Sequence, residues 1–150
     1  MYKSVYEKPV VAGEEVPFRL PGWIACAPFE EYLGMSIDEA SGGRAVLSML
    51  FKVKHSQGMG LMHGGAITAL ADTSVAMAIK SLLPEGSHFV TTDLSLRFLA
   101  PVKGGGVKVV ATVSWRDERT LDGDAEVFAD DGTKVATFHS VFKIVRRPIA

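Results

Sequence analysis

The stretch from Gln57 to Leu83, QGMGLMHGGAITALADTSVAMAIKSLL, constrains this chain more than any other. Glycines at 58, 60, 64 and 65 form a loop that runs into a long apolar segment. Between His63 and Leu83 only Asp72 and Lys80 carry a full charge. This predicts one long helix, buried by whatever surrounds it, stopping at Pro84-Glu85-Gly86. Asp72 falls in its middle, with Ala69 and Ala76 among its same-face neighbours. A carboxylate in such a place is costly unless it has partners or a chemical task. The bland alternative is a structural acid, bonded to Thr68 or across a dimer.

The segments around this helix read as strands. Gly34–Ala40 is followed by the turn Ser41-Gly42-Gly43, then by Arg44–Lys54, where Ala45, Leu47, Met49, Phe51 and Val53 alternate with mostly polar residues. After the helix, Phe89–Phe98 alternates most clearly: Val90, Thr92, Leu94, Leu96 and Phe98 form one row, and Thr91, Asp93, Ser95 and Arg97 the other. Further strands fall at Val107–Trp115, Thr120–Asp130 and Lys134–Val145, the last two joined by an Asp130-Asp131-Gly132 turn. Short links between the last four strands require antiparallel pairing. One sheet with one apolar helix predicts an α+β fold, the helix lying across the sheet's concave face. Residues 1–27, with Pro9, Pro17 and Pro21, predict an extended arm packed on the surface or on a partner subunit, and Pro28–Leu33 one helical turn. The expected organisation is thus an arm over 1–27 and a single domain over 28–150.

Composition narrows the classes. At 150 residues, 47% apolar and 22% charged, the chain has enough apolar surface for one core, and its net charge of −1 gives no reason to expect nucleic acid or an acidic membrane. Thr68, Asp72, Thr73, Ser74 and Lys80 interrupt the apolar helix, so it is not read as a membrane span. No apolar signal segment opens the sequence. A lone cysteine, Cys26, cannot form an internal disulfide, which predicts a reducing, cytoplasmic compartment and an inert, at least partly buried thiol. There is no Gly-x-Ser-x-Gly elbow, no phosphate-binding loop and no metal-ligand spacing among His55, His63, His88 and His139, so neither a metal nor a redox cofactor is expected.

With Gln57, His63-Gly64-Gly65 and Leu70-Ala71-Asp72 in place, the chain resembles the hotdog-fold acyl-CoA thioesterases of the phenylacetate-pathway (PaaI) type. The resemblance runs from about Tyr32 to Val145. It implies a curved antiparallel sheet of about six strands wrapped around one central helix. It implies hydrolysis of an acyl-CoA to a free acid and coenzyme A, with CoA present only as part of the substrate. It also implies a homodimer that pairs again into a homotetramer.

The site residues follow residue by residue. Asp72 can be general base or nucleophile, and the sequence leaves both open. Backbone N–H groups at a helix start lack intrahelical partners and suit a developing oxyanion. Among them the resemblance singles out Gly64. His63 orients the loop, bonds the thioester or caps the helix. The Gln57 amide holds the carbonyl or the water; the chain contains no asparagine, which excludes an Asn-dependent variant. Thr91 matches a family hydroxyl that positions water. Substrate and CoA contacts are expected at Gly65, Val90, Phe98, Arg116, Arg119 and Lys143, the cations facing phosphates.

Spacing adds a constraint. Gly64 and Asp72 are eight residues apart on one helix, or about 12 Å. Both must lie within about 3 Å of one reacting group. If Gly64 is the oxyanion donor, a working site takes Gly64 from one subunit and Asp72 from another. Two rivals remain at this point: a hotdog hydratase or dehydratase, and a non-catalytic dimer that binds acyl-CoA.

Overall fold

The computed structural model describes residues 4–148. The first three residues of the expected arm and the last two of the expected domain lie outside them. Six strands form a single antiparallel sheet: β1 Met35–Ser41, β2 Arg44–Leu50, β3 His88–Phe98, β4 Gly106–Asp117, β5 Thr120–Ala129 and β6 Lys134–Arg146. Their order is β1-β2-β4-β5-β6-β3. The chain therefore leaves β2, crosses the sheet with a helix, and returns at the far edge as β3. The helix α2, Gly64–Lys80, follows a short helix α1, Pro28–Leu33. This is the hotdog arrangement that the resemblance implies.

α2 is buried almost all round. Ile67, Leu70, Ala71, Ser74, Val75, Met77, Ala78 and Ile79 are inside, packed on the inward rows of β2, β4 and β5. Each large aliphatic side chain so buried contributes about 1.5–3 kcal/mol. The seat of the helix is Gly123 on β5. A Cβ added there would stand 2.2 Å from Cγ1 of Val75 and 3.0 Å from the Ser140 hydroxyl. Glycine in mid-strand thus lets the helix backbone come down onto the sheet.

Three differences from the sequence reading bear on the site. β2 ends at Leu50 rather than running to Lys54; the alternation continues, but Val53 is 90% exposed and Val53–His55 turns as a 3₁₀ helix. α2 ends at Lys80, and Leu82 and Leu83 close it with bonds to the Ile79 carbonyl. The third difference lies in β3. The register slips between Thr91 and Asp93, which pair with Phe142 and Val141 on β6. This bulge breaks the strict alternation of the sequence. Residues directly opposite share a face, so Thr91, opposite buried Phe142, faces the helix with Leu94, Leu96 and Phe98. Val90 is on the outer face beside Lys143. The two sequence rows are therefore not the two faces.

Residues 4–27 carry no strand and only one 3₁₀ turn, Val5–Glu7. Trp23 fastens this segment to the body. Its indole N–H donates to the Lys80 carbonyl at 2.9 Å, the Lys80 ammonium donates to the Trp23 carbonyl at 2.9 Å, and that ammonium lies 4.7 Å from the ring centroid. An orphan carbonyl at the end of α2 is satisfied in this way. Cys26, half-buried, donates weakly to the Met35 carbonyl, and burial with Glu30 and Glu31 nearby pushes its thiol pKa up.

Gly123→Ala should lower stability by about 1–3 kcal/mol through overpacking. Adding Val75→Ala should recover part of that loss, because the two positions touch. Thermal unfolding of the two single variants and the double variant measures the coupling; strictly additive losses would contradict this seating of the helix.

Candidate functional site

The loop before α2 is closed at its neck by His55 and His63. The His63 N–H donates to the His55 carbonyl at 2.7 Å, and Ser56 bridges Met62. Within the loop, the Gln57 N–H bonds the Leu61 carbonyl and the Gly60 N–H bonds the Gln57 carbonyl. The Gln57 side-chain oxygen accepts from the Met59 N–H. That leaves the amide's NH₂ as its available group, a donor.

His63 is the N-cap of α2, and its Nδ1 accepts from the Gly65 N–H at 2.7 Å. The capping geometry is therefore present. It consumes Nδ1 and leaves Nε2–H, on an exposed ring, as a donor. The Ala66 and Ile67 N–H groups both reach the His63 carbonyl. The Gly64 N–H alone in this first turn has no acceptor among the described residues. Of the four orphan donors that a helix start presents, three are thus satisfied internally and one is offered outward.

Gly64 must also be small. A Cβ there would meet Cζ of Phe98 at 2.8 Å. The Phe98 ring, 54% exposed, lies against the helix start and borders a cleft of about 470 Å³. Gln57, Gly64, Ile67, Leu99 and Pro101 also line it. A further reason for glycine at 65 is its neighbour: a Cβ would crowd His63 Nδ1 at 2.9 Å.

Asp72 is half-buried on the helix side that looks toward β3. Its partner is not Thr68, whose hydroxyl bonds the Gly64 carbonyl instead. Thr91 donates to Asp72 Oδ1 at 3.0 Å. Burial pushes the Asp72 pKa above the ordinary carboxylate value, and the Thr91 hydrogen bond opposes that rise. β3 thus touches α2 twice, with Thr91 at Asp72 and with Phe98 at Gly64. The structure does not bring Asp72 and Gly64 together within one chain: both lie on the same unbroken helix.

The remaining sequence candidates gather at the Asp72 end. Arg116 makes a two-pronged bond to Asp122 on β5, which commits its guanidinium within the chain. Arg119 has its backbone N–H on Asp117 and its carbonyl on the Ile144 N–H, while its side chain shows no partner among the described residues. The Lys143 ammonium donates to the Thr120 hydroxyl at 2.7 Å. Val90, Lys143 and Thr120 lie in one cross-strand row on the outer face. Among the described residues no three His, Cys, Asp or Glu side chains are grouped to hold a metal. No helix there is long and apolar enough to cross a membrane.

A match to known proteins now fits this geometry. Residues 59–136 match the model of the thioesterase superfamily. A Halobacterium salinarum protein, named as an unconfirmed esterase, is 30% identical over 77% of this chain and 83% of its own length. The chain belongs to the thioesterase superfamily. Human acyl-coenzyme A thioesterase 13 is 27% identical over 62% of this chain and 66% of its own. The solved structure of the Escherichia coli PaaI protein, from the phenylacetic acid degradation operon, superposes with a TM-score of 0.75 at 26% identity, covering 83% of this chain and 88% of that one. The chain is accordingly a PaaI-like thioester hydrolase.

The sequence reading missed one residue of this region. His55 is 2% exposed and its ring bonds two backbone groups. No motif marks it, because its partners are main-chain atoms of Leu33 and Lys52.

Removing the Thr91 hydroxyl withdraws a bond that favours ionised Asp72. The Asp72 pKa then rises further, and activity that needs the carboxylate is lost at higher pH as pH falls. The acid limb of kcat/KM should therefore move toward higher pH in Thr91→Val, as a pH–rate series on both proteins will show.

Proposed function

We propose that the protein hydrolyses an acyl-CoA thioester to a free acid and coenzyme A at two sites shared across a homodimer. In each site the Gly64 N–H of one subunit polarises the thioester carbonyl, and Asp72 of the other acts as general base or nucleophile. Water adds to the acyl carbon directly or after an acyl-Asp72 intermediate, and the CoA sulfur leaves as the thiol. His63 Nε2–H and the Gln57 NH₂ stand on the Gly64 side and donate to the thioester. Thr91, bonded to Asp72, holds the carboxylate and the water. Phe98 walls the cleft, and Gly65 contributes through the cap that its N–H forms with His63 Nδ1.

The observation that carries this reading is the Gly64 N–H at the start of α2, the one first-turn donor with no acceptor among the described residues. A donor left free where the helix dipole is positive is suited to charge that develops in the transition state. Asp72 lies about two turns away, too far to act on the same carbonyl. A two-fold axis that brings Asp72 of one subunit to Gly64 of its partner also performs the reverse exchange. The partner's helix start then favours the ionised Asp72 that burial within one chain disfavours.

Other features support a partner at this face. β3 is an edge strand of 11 residues that exposes Val90, Leu94 and Phe98. β1, the other edge, is shorter and carries Asp38 and Glu39, which discourage pairing. The half-buried side of α2 offers Ala69, Thr73 and Ala76 around Asp72, small enough for close approach of a second helix. Arg119, Lys143 and Val90 lie at the Asp72 end and contact the CoA portion. Arg116 contributes through its ion pair with Asp122. Assembly proceeds to a homotetramer, and no metal or redox cofactor takes part. The acyl group rests in the Phe98 cleft, and the protein works in the cytoplasm.

Two measurements test this. Asp72→Asn keeps an acceptor for Thr91 but removes the buried charge; turnover should fall at least about 100-fold, while thermal stability at neutral pH is unchanged or higher. Asp72→Ala and Gly64→Pro should each be inactive alone. In an exchanged mixture about a quarter of wild-type activity should return, since half the dimers are mixed and each has one intact site. No recovery in a mixture shown to contain mixed dimers would sink the shared site.

A further inference from the structure

We propose that His55 is a positioning residue for the Gly64 N–H: it locks the neck of the Gln57 loop to the end of α1 through the neutral Nε2–H form of its ring. The catalytic part of this rests on the reading above; the positioning part does not.

The ring is buried, and both nitrogens are used. The Lys52 N–H donates to Nδ1 at 2.9 Å, so the proton must be on Nε2. Nε2–H then donates to the Leu33 carbonyl at 2.7 Å. Leu33 is the last residue of α1, where carbonyls lack intrahelical partners. The His55 backbone is engaged as well: its N–H donates to the Lys52 carbonyl at 2.8 Å, and its carbonyl accepts from the His63 N–H. One residue therefore joins α1, the exit of β2 and the residue that caps α2.

The consequence falls on the next peptide. Gly64 follows His63 directly, so the direction of its free N–H depends on how His63 is held. Three of its groups are bonded: its N–H to the His55 carbonyl, its carbonyl by the Ala66 and Ile67 N–H groups, and its Nδ1 by the Gly65 N–H. Two of these are internal to the helix start. Among the described residues, the backbone hydrogen bonds that tie that start to the rest of the fold are the His55 bond, with the adjoining Ser56–Met62 bridge and the Met62 N–H on the Val102 carbonyl. A neutral imidazole suits the place because it offers one acceptor and one donor on opposite edges of a rigid ring. An apolar side chain of similar size would leave the buried Leu33 carbonyl and the part-buried Lys52 N–H without these partners.

The test uses the full-length oligomer in three forms: wild type, His55→Leu and His55→Gln. In wild type, ¹⁵N spectra of labelled histidine should show His55 with Nδ1 unprotonated and Nε2 protonated. In glycine-labelled protein the Gly64 amide resonance should shift in His55→Leu and lie near wild type in His55→Gln, whose amide supplies both acceptor and donor. Misplacing a catalytic group by about 1 Å can cost on the order of 100-fold, so kcat per folded His55→Leu should drop about 10- to 100-fold. KM should stay within about threefold, because the ring touches no substrate. His55→Gln should keep kcat within about fivefold of wild type. The proposal is overturned by the opposite tautomer, by an unmoved Gly64 amide, by wild-type kcat in His55→Leu, or by equal loss in both variants. If His55→Leu does not fold, the tautomer and the behaviour of His55→Gln still decide. If wild type hydrolyses no acyl-CoA, the functional reading fails, and the tautomer and the Gly64 resonance alone settle whether His55 positions that amide.

Discussion

Everything in this fold depends on how α2 is seated. Val75 rests on the bare backbone of Gly123, and that contact sets the height of the helix above the sheet. From this height the other contacts follow. Thr91 on β3 reaches Asp72, and Phe98 on the same strand reaches the helix start. A side chain at 123 would lift α2, and both ends would part from β3 together. The helix is also rigid. A continuous hydrogen-bonded rod cannot bend its own start toward its own middle, so the packing that orders the site also divides it.

The division explains the electrostatics. Within one chain Asp72 is partly desolvated, and one hydroxyl is its hydrogen-bond partner. At the other end, a helix start holds a free N–H with no anion facing it among the described residues. Each half lacks what the other has. The proposed juxtaposition across a two-fold axis would place a carboxylate near a positive helix end and so lower the cost of ionising it. In that arrangement the Phe98 ring, which packs on the helix start, would border the place where the two halves meet.

Much of this was legible in the chain itself, and the exceptions have a common cause. The order of elements, the buried helix and its single mid-helix acid follow from apolar periodicity and from glycine and proline punctuation. β3 misled, because strict alternation put Thr91 in one row with Asp93, Ser95 and Arg97, apart from Leu94, Leu96 and Phe98. A bulge between Thr91 and Asp93 reverses the face. Whether a strand bulges is decided by its partner's register, which local alternation does not contain. The same holds for Asp72. Its neighbour one turn back, Thr68, was the obvious partner, yet that hydroxyl bonds the Gly64 carbonyl and the partner comes from 19 residues away. β2 shows a milder form: its pattern continues past Leu50, but the chain turns there to place His55 inside.

By itself, the sequence determined the fold class, the helix, the acid within it and the glycine before it. The eight-residue spacing of Gly64 and Asp72 already required a second subunit if Gly64 is the donor, since the rise of a helix is fixed by its hydrogen bonds. Only the tertiary structure decided which first-turn N–H stays free, which hydroxyl holds Asp72, and that Arg116 is committed to Asp122. It alone showed that a buried histidine closes the neck of the loop. These are all choices of partner. A partner is fixed by distances between residues far apart in the chain, and local sequence pattern carries no record of those distances.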